Sequence, residues 1–212
     1  MRVELSLVPR LCFTTASPYK SQELEMTMFV SLDPTDRQTL IHTGRVFNVF
    51  QEAVTLPNGV AMKLDVIRHP GAAAIVPLTR NHTVIMLEQY RHAVGGTIWE
   101  IPAGTLDSGE LPLTCAQREL TEETGYTAST WRKLGEITPV PGYSDERIQI
   151  FLATELTLSV QNLDSDEVLV VREVEFTEAL KMISRGGIQD AKTICGLFMA
   201  DAWLKEHSCG IT

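Results

Sequence analysis

The chain has 212 residues, 44% of them apolar and 21% charged, the composition of one ordinary globular domain with room for a small appendage. No apolar run approaches the roughly 18 residues of a membrane span, and a formal charge of −9 with scattered Lys and Arg excludes a basic nucleic-acid face. An acidic chain that binds a phosphorylated ligand needs metal ions or local cations to offset the repulsion.

Cys12, Cys115, Cys195 and Cys209 form no CxxC pair and have no histidine at zinc spacing. Such sparse cysteines point to a reducing compartment. The N-terminus lacks an apolar h-region with a small-residue cleavage site, so a cytoplasmic location is expected.

Residues 1–40 read as an extension, loosest over 1–27, where a Ser/Thr/Pro-rich patch spans 14–21. Residues 41–69 read as a small antiparallel β subdomain. Its runs at 46–56 and 60–68 flank Pro57-Asn58-Gly59, and Asn-Gly suits the positive φ angles of a tight hairpin turn. Residues 70–207 read as the main domain. Strands are expected at 72–78 and 83–87, with a strand end at 99–101 closed by Pro102-Ala103-Gly104. A helix follows from Pro112 through Thr124, stopped by Gly125. Strands at 131–138 and 148–157 and helices near 177–184 and 190–207 complete an α/β or α+β pattern.

The chemistry concentrates between Gly104 and Tyr126. Glu119, Glu122 and Glu123 lie at i, i+3 and i+4, so their carboxylates project from one side of the helix, opposite Leu113, Ala116 and Leu120. Like charges at that spacing repel, and a helix that accepts them wants a cation. Oxygen-only ligands suit Mg²⁺ or Mn²⁺ over zinc. Glu110, in the preceding loop, is placed either to bind metal through water or to hold Arg118. There is no HExxH, no GxSxG and no Walker loop. Cys115 reads as a packed thiol and not as a nucleophile.

Gly104, Glu110, Arg118-Glu119-Leu120, Glu122-Glu123 and Gly125 resemble the box of the Nudix hydrolases, with Tyr126 bulkier than the usual aliphatic residue at the last place. Glu88-Gln89-Tyr90-Arg91, the Trp99-Glu100-Ile101-Pro102-Ala103-Gly104 run and Pro141 resemble the ADP-ribose pyrophosphatase branch. The resemblance implies an α/β/α sandwich with a mixed sheet, preceded by a small antiparallel N-terminal β subdomain through which two copies dimerise. It implies metal ligation by Glu119, Glu123 and the Ala103 carbonyl, with Glu122 as a further catalytic carboxylate.

The branch takes its general base from an acidic loop, here Leu163-Asp164-Ser165-Asp166-Glu167-Val168. Ser165 stands where one of two glutamates is usual, which leaves Glu167 as base or extra metal ligand and Asp166 or Glu146 as substitutes. Arg91 is expected on phosphate or ribose, and Glu100 on ribose hydroxyls or metal-bound water. Thr105 and Val140 are assigned to substrate. Asp65 is a substrate-side acid that lacks the arginine usual before it, where Leu64 stands. The implied activity is Mg²⁺-dependent cleavage of ADP-ribose to AMP and ribose 5-phosphate. The alternatives are hydrolysis of another nucleoside diphosphate sugar, such as GDP-mannose or ADP-glucose, and an idle domain that senses a nucleotide sugar.

Overall fold

The computed structural model describes residues 38–208, so the patch at 14–21, most of the expected extension, Cys12 and Cys209 lie outside the described residues. Strands β1 (Gln38–Thr43), β2 (Asn48–Thr55) and β3 (Ala61–Arg68) form an antiparallel sheet in that order. The β2–β3 hairpin turns at Pro57-Asn58-Gly59 as expected. Leu56 N donates to Val60 O at 2.8 Å, the Asn58 Oδ1 accepts from Val60 N at 3.1 Å, and Gly59 sits at φ 84. Strand β1 carries no alternation that would mark it in sequence; all its side chains are exposed, and it forms by pairing along β2. Its residues Gln38, Thr39 and Leu40 fall within the segment expected as extension.

Seven strands follow: β4 (Ala72–Pro77), β5 (Thr83–Arg91), β6 (Gly96–Glu100), β7 (Ala103–Thr105), β8 (Tyr126–Ile137), β9 (Ile148–Leu158) and β10 (Leu169–Glu175). Helices are α1 (Pro112–Thr124), α2 (Phe176–Ser184) and α3 (Ala191–Ser208). One sheet has the order β7-β4-β9-β8, with β4 and β9 parallel and the other pairs antiparallel. The second, β10-β5-β6, is wholly antiparallel. The mixed sheet is therefore present, and it is accompanied by a separate three-stranded layer.

Strand β4 is buried on both faces, which is why it reads as an unbroken apolar run. Ala72, Ala74 and Val76 pack with Ile148, Ile150 and Leu152 of β9 and with Leu197 and Ala200 of α3. Ala73 and Ile75 face the other way, onto Cys115, Ala116 and Leu120 of α1 with Phe151 and Ala153 of β9. Alternation along two parallel neighbours thus places one helix on each face, the α/β/α sandwich expected. Helix α3 comes close because Gly196 has no side chain; a Cβ there would stand 2.8 Å from Ile101 Cδ1.

Two strands run longer than the sequence suggests. Strand β5 continues past Leu87 to Arg91 because both neighbours pair along it, Gln89 opposite Leu169 and Arg91 opposite Gly96. Strand β8 begins at Tyr126, directly after Gly125 ends α1 at φ 70. The ligand-relevant residues of β5 thereby sit on a rigid strand.

Candidate active site

Helix α1 lays Glu119 and Glu123 under β7, so the acidic side of the helix is itself largely buried. Glu119 is 8% and Glu123 1% exposed, while Leu113 of the expected apolar stripe is 39% exposed. The reason is Gly104: a Cβ on it would lie 1.7 Å from Glu119 Oε1, so only glycine lets the carboxylate in beneath the strand. Glu123 Oε2 accepts from Ala103 N at 2.9 Å.

Arg118 ties the acids together. Its Nη1 donates to Glu119 Oε1 at 2.6 Å and to Glu122 Oε2 at 3.0 Å. Its Nε and Nη2 grip Glu110 at 3.1 and 3.0 Å, and Nη2 also reaches Thr105 O at 3.3 Å. Of the two roles open to Glu110, the structure shows the one of holding Arg118. That guanidinium holds the Glu110 carboxyl below its ordinary range.

Burial pushes the Glu123 carboxyl well above the usual range, and the nearby Glu119 and Glu167 charges add to the rise against the Ala103 N–H. Burial likewise raises Glu119, opposed by Arg118 and reinforced by Glu122 and Glu167. Buried carboxylates that repel one another favour a bound cation. The Cys115 thiol is pushed up to about 12, by burial first and then by Glu119 and Glu110, so it is no nucleophile at neutral pH.

Glu167 reaches the acids from the loop between β9 and β10. The chain leaving β9 is fastened to the end of α1. Ser159 N donates to Gly125 O at 2.6 Å, Gln161 Nε2 to Glu123 O at 2.6 Å and Asn162 N to Glu122 O at 3.0 Å. Glu167 Oε2 accepts from Asp164 N at 3.1 Å, and Asp166 is paired with Arg45 Nη1 at 2.5 Å. Arg45, Thr105, Glu119, Glu122 and Glu167 line a cleft of about 320 Å³.

A second cleft, of about 310 Å³, opens on the other side of β7 and is lined by Arg91, Thr105, Pro139, Glu146, Asp190 and Lys192. Arg91 and Thr105 belong to both clefts, so the two make one trough across the strand. Arg91 grips Glu100 bidentately, Nε to Oε1 and Nη2 to Oε2, both at 2.8 Å. Lys192 also binds Glu100, and it reaches Asp190 at 3.1 Å. Burial alone would raise the Glu100 carboxyl, but the Arg91 and Lys192 cations hold it below the usual range.

A NUDIX domain family model matches residues 68–195, which takes in the box, the acidic loop and the lining of both clefts apart from the Arg45 side of the first. The chain belongs to the Nudix family. It is 43% identical to the ADP-ribose pyrophosphatase of Bacillus subtilis (strain 168) over 155 residues, 72% of this chain and 84% of that protein. It is 40% identical to the methanol dehydrogenase activator of Bacillus methanolicus over 156 residues, 73% of this chain and 84% of the relative. A crystal structure of an ADP compounds hydrolase superposes with a TM-score of 0.69 at 22% identity, covering 81% of this chain and 96% of the other. That likeness concerns the fold.

Of the residues singled out in sequence, Ala103, Thr105, Glu119, Glu122 and Glu167 line one cleft, with Glu123 bound to the Ala103 N–H beside it. Several assigned residues fall elsewhere. Glu100 is 2% exposed with both oxygens engaged, pairing with Arg91 and Lys192. Glu146 sits in the second cleft, 3.9 Å from His69 Nδ1 and apart from Glu167. Asp65 lies exposed on β3, accepting from Gln51 Nε2 at 3.3 Å, and lines neither cleft. Val140 lines neither; its carbonyl closes a turn by accepting from Tyr143 N and Ser144 N at 3.3 and 3.1 Å.

Sequence reasoning missed Arg45, Lys192 and Asp190. Asp190 had a readable signal, since Asp three residues before Thr at a helix start is a capping pattern. Its Oδ2 accepts from Thr193 N at 2.9 Å. Among the described residues, no three His, Cys, Asp or Glu side chains stand in metal-holding geometry. Arg118 and the Ala103 N–H occupy the oxygens that would turn to an ion. The donor set still fits a hard divalent cation: oxygen only, buried, and raised by mutual repulsion.

Proposed function

We propose that this Nudix protein is a pyrophosphohydrolase that cleaves nucleoside diphosphate sugars, ADP-ribose foremost, to AMP and ribose 5-phosphate. The observation that carries the reading is the pair of buried carboxylates, Glu119 and Glu123, faced by Glu167 across a trough that Arg91 overlooks. Glu119, Glu123, Glu167 and the Ala103 carbonyl would hold divalent ions, Mg²⁺ by the hardness of the ligands. Bound there, the ions neutralise the diphosphate and the charge that builds on its oxygens during in-line attack.

The chain's own residues do the rest. The free Nη1 edge of Arg91, with Nε and Nη2 held by Glu100, takes a phosphate oxygen and sets the diphosphate along the trough. Glu167 accepts a proton from the attacking water as the new P–O bond forms and the bridging P–O bond breaks. Arg118 bridges Glu119 and Glu122 through Nη1 and offsets the repulsion between their charges. The 43% identity to an ADP-ribose pyrophosphatase favours ADP-ribose over other sugars. The two described cysteines are free, in keeping with a reducing, cytoplasmic setting, and no helix among the described residues is long and apolar enough to cross a membrane. The exposed edge strand β1 and the apolar Leu40, Ile41 and Met62 support a homodimer joined through the N-terminal sheet.

The test is hydrolysis of ADP-ribose, ADP-glucose, GDP-mannose, UDP-glucose and NADH with Mg²⁺, read by coupled phosphatase release of phosphate. Preference for ADP-ribose, abolished by EDTA and restored by Mg²⁺, supports the reading. Turnover that survives exhaustive chelation sinks it.

A further inference from the structure

Strand β5 carries an unpaired hydrogen-bonding group at the border of the site. Leu87, Gln89 and Arg91 alternate with Glu88 and Tyr90, so Gln89 points to the same side of the strand as Arg91. Gln89 is only 4% exposed, yet its Oε1 is buried without a hydrogen-bond partner. Among the described residues, its Nε2 donates to no protein acceptor either. It borders a third cleft, of about 340 Å³, shared with Arg45, Arg91, Asp164, Asp166 and Glu167. Four of those neighbours, Arg45, Arg91, Asp164 and Glu167, also line the cleft that holds the box carboxylates, so the two clefts adjoin.

Buried polar groups in folded proteins are nearly always paired, and one left unpaired forfeits its hydration without return. Here the buried unpaired atom is Oε1, with the amide nitrogen beside it as a donor, two residues from Arg91. Adenine presents the complementary edge, an amine donor beside a ring-nitrogen acceptor. A ribose diol also offers a donor and an acceptor, farther from the ring.

We propose that Gln89 is a specificity-determining contact for the nucleoside half of the substrate, its carboxamide pairing with a donor–acceptor edge in the third cleft. This rests on the pyrophosphohydrolase reading above. It places the base-bearing half beside Arg45 and Gln89, and leaves the sugar-phosphate half to the cleft of Lys192 and Glu146.

Gln89→Met keeps the length of the side chain and removes both polar ends. A merely structural glutamine would lower thermal stability and all ligand constants together. The proposal expects the opposite: a melting temperature no lower than wild type, because an unpaired buried acceptor is gone. It also expects inhibition by AMP weakened roughly tenfold, the order of one or two lost hydrogen bonds, with inhibition by ribose 5-phosphate unchanged. Inosine diphosphate ribose, which carries a carbonyl in place of the amine, separates the two sources. A wild-type preference for ADP-ribose over it that disappears in Gln89→Met assigns the base edge, and a preference that persists alongside weakened AMP binding assigns the ribose diol. Gln89→Leu repeats each measurement should the methionine variant fold poorly.

An unchanged AMP constant in both variants overturns the assignment, as a trapped water on the carboxamide would produce. Weakened ribose 5-phosphate binding with unchanged AMP overturns it too. Failure of the wild-type protein to hydrolyse any nucleoside diphosphate sugar removes the underlying reading, and is distinct from either result.

Discussion

Glu123 is held in a state that suits a bound cation and not the empty fold. Its carboxyl is raised, so the folded protein binds that proton more tightly than the unfolded chain does. Between the ordinary carboxylate range and the raised value, ligand-free stability therefore falls as pH rises. Glu123→Gln removes the repulsion and is expected to melt higher than wild type in EDTA at neutral pH, while turnover drops by several orders of magnitude. Wild-type turnover in that variant would refute the metal assignment. Glu167→Gln should lower kcat by roughly 10²–10⁴-fold, the usual weight of a general base.

Glu100 behaves in the reverse sense. Held below the usual range by Arg91 and Lys192, it stabilises the fold above that range and loses the contribution as pH falls through its lowered value. Glu100→Gln breaks a buried ion pair at a cost of about 3–5 kcal/mol, so its melting curve should lie below wild type at pH 7 and converge toward it in acid. The Nudix box was legible in sequence because chemistry demands carboxylates at helical spacing. Lys192 was not, since it meets Glu100 across 92 residues of chain and nothing local marks it. Nor does spacing say that Asp65 and Val140 line neither of the two clefts beside β7.

At the scale of elements, α1 is held by its apolar stripe and aimed by one glycine. Leu120 is fully buried against β4 and β9, and Leu120→Ala should cost about 2–5 kcal/mol by denaturant unfolding. Gly104→Ala should act differently, because the new methyl collides with the Glu119 carboxylate. The expected result is lost turnover and weakened Mg²⁺-induced stabilisation, larger than any change in the ligand-free melting temperature. The helix and the two buried central strands announced themselves by period and apolar run. Strands β1 and β10 did not, because edge strands with exposed, mixed side chains exist only through the partner they pair with.

At the scale of the whole molecule, the acidic chain holds its site charges in opposed groups. The box acids stand with Arg118 and Arg45 on one side of β7, and Lys192 stands with Glu146, Asp190 and Glu100 on the other, with Arg91 common to both clefts. The N-terminal sheet joins this arrangement through Arg45 and Asp166. If two copies associate through β1, sedimentation should give twice the mass of one chain, and Leu40→Glu with Ile41→Glu should return it to one.

The fastening of residues 159–162 to the carbonyl end of α1 gives that surface stretch an unusual duty. Surface connections ordinarily absorb added residues at little cost. Here the same three hydrogen bonds that finish the helix also meter out the chain toward Glu167, so Glu167 and the carboxylates it faces are measured from one origin. A residue inserted between Asn162 and Asp164 would leave the helix finished and the fold intact, yet carry Glu167 off its mark by the length of a peptide unit. In this protein the length of an exposed connection fixes where Glu167 stands against the box.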